Sequence, residues 1–116
     1  MSGRTSSQVG AQLSEQLADV MFALSAPSRV QILGCLLSGP RAVGEIVSML
    51  NLEQSAVSHQ LRVLREHSLV RVAQDGKRRV YDLYDEAVRE LLEAAIRHVQ
   101  RRGRSRRGSS AAAIGD

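Results

Sequence analysis

Gln54-Ser-Ala-Val-Ser-His-Gln-Leu-Arg-Val-Leu-Arg65, wound as a helix, separates into two faces. Val57, Leu61 and Leu64 recur at i, i+4, i+7, an apolar stripe that needs a core to pack on. Ser55, Ser58, His59 and Arg62 recur at i, i+3, i+4, i+7 on another side. Solvated helix faces usually carry Glu and Lys. Short hydroxyls, an imidazole and a guanidinium are instead the donors and acceptors that read base edges and hold phosphates. Gln54 at the helix start belongs to the same set. Taken alone, the segment is also compatible with an ordinary solvated face, so its neighbours have to choose between the two readings.

Immediately upstream, Val43 to Leu50 forms a short helix with Ile46, Val47 and Leu50 apolar, and Asn51-Leu-Glu-Gln54 is a tight turn. Two helices joined this way make a helix-turn-helix. Further upstream, Leu13, Leu17, Val20, Met21 and Leu24 fall at helical spacing. Ala26-Pro27 breaks that helix. Pro27 suits the first turn of another, with Ser25 or Ala26 as cap, carrying Val30, Ile32, Leu33, Leu36 and Leu37 and stopping at Ser38-Gly39-Pro40.

Downstream the period changes from helical to alternating. Leu69-Val-Arg-Val-Ala73 and Arg79-Val-Tyr-Asp-Leu-Tyr84 read as strands flanking Gln74-Asp-Gly-Lys-Arg78, and Asp75-Gly76 marks a hairpin. Lys77, Arg78 and Arg79 beside the glycine make its tip basic, which suits a phosphate ridge or a minor groove. Asp85 then caps a last helix with Val88, Leu91, Leu92, Ala95, Ile96 and Val99 in one stripe. That stripe is longer than the small core needs, so a partner helix from a second subunit is its expected cover. Residues 101–116, rich in Arg, Gly and Ser, read as a basic disordered tail, and residues 1–11 as a flexible arm. The expected fold is therefore mainly α with a small β-hairpin (α+β). It is a winged helix-turn-helix over residues 12–100, in the order four helices, two strands, one helix.

Bulk properties agree. A chain of 116 residues with 3% aromatics can build only one small aliphatic core. The net charge of +4 favours a polyanionic partner such as double-stranded DNA. No apolar run approaches the roughly 18 residues of a membrane span, and Met1-Ser-Gly-Arg-Thr-Ser-Ser7 lacks the apolar stretch of a signal peptide. Cys35 is the single cysteine, in the apolar run Ile32-Leu-Gly-Cys-Leu-Leu37. It therefore reads as a buried inert thiol and excludes an intrachain disulfide or a multi-cysteine zinc site. These features point to the cytoplasm. An enzyme is not expected. Ser58 and His59 are adjacent on a helix and point about 100° apart, and neither a phosphate loop nor a paired-carboxylate cleft is visible. A winged helix that binds only protein is the closer rival, but it would not need this polar face together with a basic wing.

The segments Ala23-Leu-Ser-Ala-Pro-Ser-Arg-Val-Gln-Ile-Leu33, Gln54 to Arg65, Leu69-Val70 and Arg79-Val-Tyr-Asp-Leu-Tyr84 together resemble the ArsR/SmtB family of bacterial transcriptional regulators, over about residues 13 to 100. The nickel/cobalt-responsive branch looks most similar. The resemblance implies a homodimer joined through its first and last helices on a palindromic operator. It places Gln54, Ser55, Ser58 and His59 at bases and nearby backbone, with Arg62, Lys77, Arg78 and Arg79 on phosphates or in the minor groove. Members commonly hold metal either on a cysteine pair in the third helix or across the paired last helices. Here the third helix, Gly44-Glu-Ile-Val-Ser-Met-Leu50, has no thiol. Of the second site only Asp85 and His98 survive, with Ala87 and Arg101 where further ligands belong. The expectation is weak Ni(II) or Zn(II) binding at most, or a signal delivered by a separate metal-sensing protein.

Overall fold

The computed structural model of the chain describes residues 8–108. The elements run α1 (Ala11–Ala23), α2 (Pro27–Leu36), β1 (Arg41–Ala42), α3 (Val43–Leu50), α4 (Gln54–Glu66), β2 (Val70–Asp75), β3 (Arg78–Leu83) and α5 (Glu86–Gly108). The winged helix-turn-helix expected from the sequence is present. Residues up to Tyr84 form one compact unit and those from Asp85 a second.

In the first unit the core is aliphatic. Ile32, Leu33 and Leu36 of α2, Ile46 of α3, Val57, Leu61 and Leu64 of α4, and Val70 of β2 are essentially inaccessible to water. Tyr81 is its one aromatic, on β3, where Tyr81 and Leu83 face inward opposite Val72 and Val70. Cys35 is buried as expected, and desolvation raises its pKa, with the Arg41 charge pulling weakly the other way. A thiol held protonated in this way is a poor nucleophile.

Local sequence sets the element ends. Pro27 occupies the first turn of α2, where its missing N–H removes nothing from the helix. Asn51 closes α3 in the left-handed region, with φ 55°, a conformation its short polar side chain tolerates. The end of α4 is a Schellman motif. The Leu69 N–H donates to the Leu64 carbonyl at 2.9 Å and the Ser68 N–H to the Arg65 carbonyl at 3.0 Å, with Ser68 at φ 56°. Leu64 and Leu69, the apolar pair of that motif, are both buried. Serine at φ 56° is strained where glycine would not be. Ser68→Gly is expected to stabilise the fold by about 0.5–1 kcal/mol, after the entropy that glycine adds to the unfolded chain. Urea unfolding at equilibrium measures this, and a loss of stability would mean the serine side chain does more than occupy the position.

Three features differ from the sequence expectation. The sheet has three strands rather than two, in the order β1-β3-β2, because Arg41 and Ala42 pair antiparallel with Tyr81 and Val80. A two-residue strand has no alternation to read, and only its distant partner makes it a strand. The hairpin is also tighter than expected. Asp75 pairs with Arg78, which leaves a two-residue loop of Gly76 and Lys77, and Gly76 takes φ 64° at its first position. Finally, α5 runs to Gly108, well beyond residue 100, so the first half of the segment expected as a disordered tail is helical. The apolar stripe ends at Val99, and periodicity gives no information past that point. Arg and Gln are good helix formers that extend a helix already nucleated. The remaining tail residues, 109–116, and the first seven of the N-terminal arm lie outside the described residues.

Candidate nucleic-acid interface

The helix-turn-helix is α3 and α4 joined by Asn51-Leu52-Glu53. With Val57, Leu61 and Leu64 at 0% exposure, α4 is anchored along one side. The opposite side carries Ser55, Ser58, His59 and Arg62, all exposed, with Gln54 exposed at the first turn. The two faces read from the sequence are thus the two faces of the folded helix, and the polar set is brought together on it. Gln54, Ser55 and Ala56 form the first turn, whose N–H groups lack intrahelical partners and favour an anion.

Gln60, in the same segment, has a different task. Its side-chain oxygen accepts from the Arg29 guanidinium at 3.0 Å. Arg29 also donates to the Ala23 carbonyl at 2.6 Å and to the Phe22 carbonyl at 3.4 Å. One arginine near the start of α2 therefore satisfies carbonyls at the C-terminal end of α1 and fixes the inner edge of α4. A cation at that negative helix end is electrostatically favoured as well. Arg29 is a positioning residue that the sequence pattern does not reveal, because Gln60 lies 31 positions away.

The wing cations diverge. Lys77 occupies the loop. Arg78 and Arg79 are neighbours on β3 and so point to opposite faces of the hairpin. The Arg79 guanidinium lies over the Tyr81 ring, 5.8 Å from its centroid. Arg78 lies 3.6 Å from the carboxylate of Glu45, and that carboxylate also accepts from the Ala42 N–H at 2.8 Å. Glu45 therefore caps α3 and faces the wing cation at once. Both partners are substantially exposed, so the ion pair adds little stability and Arg78 is available to a phosphate. Arg71 is paired across the hairpin with Asp82 at 3.7 Å. Arg78→Ala is expected to weaken binding to every DNA sequence alike and to lower the salt slope of binding by about 1 per protomer. Anisotropy titrations at several salt concentrations test this, and a sequence-selective loss would contradict it.

The two candidate metal ligands are not brought together within a chain. Asp85 is the N-cap of α5, its Oδ1 accepting from the Val88 N–H at 3.0 Å. His98 is exposed on the same helix, thirteen positions on and so about 20 Å along the axis. Among the described residues no three His, Cys, Asp or Glu side chains cluster as a metal site. One chain alone does not provide the donor set of a closed site.

With this geometry established, comparison with known proteins is specific. The family model "Bacterial regulatory protein, arsR family" matches residues 26–72, from the start of α2 to β2. The HTH-type transcriptional regulator NmtR of Mycobacterium tuberculosis is 45% identical over 95 residues, which is 82% of this chain and 79% of that protein. The crystal structure of M. tuberculosis Rv0081 superposes with a TM-score of 0.75 at 35% identity, covering 86% of this chain and 100% of that one. The homodimeric winged helix-turn-helix DNA-binding domain Mb0332 of Mycobacterium bovis superposes with a TM-score of 0.73 at 31% identity, covering 92% and 95%.

Proposed function

Since the chain belongs to the ArsR/SmtB family of bacterial transcriptional regulators and is not an enzyme, we propose that it works in the cytoplasm as a homodimer on a palindromic operator. In this reading α4 enters the major groove and the wing lies on the flanking backbone. One observation carries the proposal: the exposed face of Gln54, Ser55, Ser58, His59 and Arg62 stands opposite a fully buried anchoring stripe. A protein-only module would need no such combination beside a basic wing.

The dimer is supported by apolar positions left open to water. Leu13, Leu17 and Met21 recur every four residues along α1, and Ile96 and Val99 lie on the stripe of α5. All are at least 40% exposed, more than an isolated subunit leaves without cause. We place the interface on these two helices.

Metal responsiveness, to nickel in particular, is the finer part of the proposal. Asp85 of one chain and His98 of its partner would give each of the two symmetric sites only two protein donors, which suffices only for weak Ni(II) or Zn(II) binding. A signal arriving through a separate sensing protein would serve a regulator whose own ligands are reduced to these two. Selection of bound duplexes from a random pool, with and without Ni(II) and Zn(II), tests the whole reading. The expected product is a palindrome with half-sites about one helical turn apart. Failure to enrich any sequence would overturn the regulator reading, while enrichment indifferent to both metals would overturn only direct metal sensing.

A further inference from the structure

Charge is distributed unevenly along α5. Arg97, Arg101, Arg102, Arg104, Arg106 and Arg107 fall within eleven residues, and no acid lies between Glu93 and Asp116. Six of the sixteen Lys and Arg are therefore in this segment. The rest of the chain holds ten bases against twelve acids, a net charge of −2. The positive charge of the protein thus resides at the far end of α5, not on the helix-turn-helix.

These arginines are placed in a definite way. Arg97, Arg101 and Arg104 recur at i, i+4, i+7 and share one face of the helix. At 100° per residue that face is opposite Val88, Leu92 and Val99, of which Val88 and Leu92 are buried. Arg97, Arg101, Arg102 and Arg104 are all exposed, and none of them makes an ion pair among the described residues. A cation in the last helical turn is explained by the helix dipole, but a row reaching back to Arg97 is not. Like charges at these spacings repel and disfavour the helix, so the row is costly without a polyanion to neutralise it.

We propose that the C-terminal half of α5 is a phosphate-binding arm that grips duplex DNA outside the bases read by α4. This rests on the regulator reading. That reading also favours DNA as the occupant, because duplex DNA is the polyanion it already assigns to this protein and the row offers exposed cations with no acid among them. An amphipathic membrane contact would need a broad apolar face beside the arginines, and from Arg97 to Gly108 the sequence offers only Val99, on the stripe assigned above to the dimer. Hydrogen bonds to base edges are not part of the arm's role. It adds affinity without sequence preference and makes binding steeply dependent on salt.

The test uses the full-length protein and the Arg97→Gln/Arg101→Gln/Arg104→Gln triple variant, which keeps helix propensity and leaves the apolar stripe intact; circular dichroism checks that it folds. Binding is measured by anisotropy against salt, on the selected operator trimmed to its palindrome and on the same palindrome centred in 50 bp. On the long duplex the slope of log Kobs against log[salt] is expected to be shallower for the variant by about 2–3 per protomer. On the trimmed duplex the two proteins should agree closely. Equal slopes on the long duplex, with the palindrome still bound, would overturn the arm and leave the regulator reading standing. A uniform loss on both duplexes would place these arginines within the operator contact and overturn a flanking role. Absence of any selected site for wild type would remove both.

Discussion

Ser58→Ala combined with His59→Ala is expected to weaken binding to the selected operator by about 3 kcal/mol per half-site, roughly a hundredfold for each half-site, while binding to random duplex changes little. Both side chains are exposed on the free face of α4, so truncating them leaves the core untouched. What is lost is contact with base edges, worth about 1–3 kcal/mol for each good pair. The two residues are neighbours on one helix, so their separate effects need not add. In the proposed reading the phosphate contacts of Arg62, Lys77, Arg78 and Arg79 remain, and they contribute to the affinity for random sequence. Anisotropy titrations of both proteins on both DNAs measure the ratio. If the operator and the random duplex weaken together, the double variant has disturbed docking rather than reading. If the operator does not weaken at all, the reading face lies elsewhere.

Leu61→Ala is expected to cost about 3–4 kcal/mol of folding stability. Leu61 is completely buried at the middle of α4, between Val57 and Leu64 on the same stripe and in a core that includes Ile32, Leu33, Leu36 and Ile46. Truncation removes the transfer free energy of three carbons and leaves a cavity that a close-packed aliphatic core fills poorly. Small domains have about 5–15 kcal/mol in total, so the variant keeps only part of its margin. It would also lose operator binding through loss of the folded population and not through contact with DNA. Urea unfolding at fixed protein concentration gives the number, and the concentration must be fixed because dimerisation contributes to apparent stability. A loss below about 1 kcal/mol would mean that α4 is not anchored as described. The two variants separate the faces of a single helix: one changes recognition at constant stability, the other stability at constant surface chemistry.

The legibility of this chain followed the range of the interactions involved. The exposed polar face of α4 is legible because a helix of known period converts sequence spacing directly into a face, and Val57, Leu61 and Leu64 name the buried side without ambiguity. The cap of α5 by Asp85 was legible for the same reason, since the Val88 N–H lies three residues away. The wing was legible in kind but not in register. Asp75-Gly76 announced a turn, yet whether Gly76 took the first or second loop position depended on which residues of β2 and β3 paired. That choice moved Arg78 and Arg79 from the tip onto opposite faces of a strand. The last two turns of α5, beyond residue 100, are not legible in the sequence because they carry no apolar period.

By itself the sequence determined the order of the helices and of the hairpin, the helix-turn-helix, the buried and exposed faces of α4 and the inert position of Cys35. All of these depend on residues within a few turns of one another or on residue identity alone. Only the tertiary structure decided that Arg41-Ala42 is a third strand, that Arg29 ties α1 and α2 to Gln60 of α4, and that Glu45 both caps α3 and meets the wing at Arg78. The physical reason is that a hydrogen bond or ion pair between residues some thirty positions apart forms only once the core has closed the loop between them. No local pattern in either partner encodes that closure.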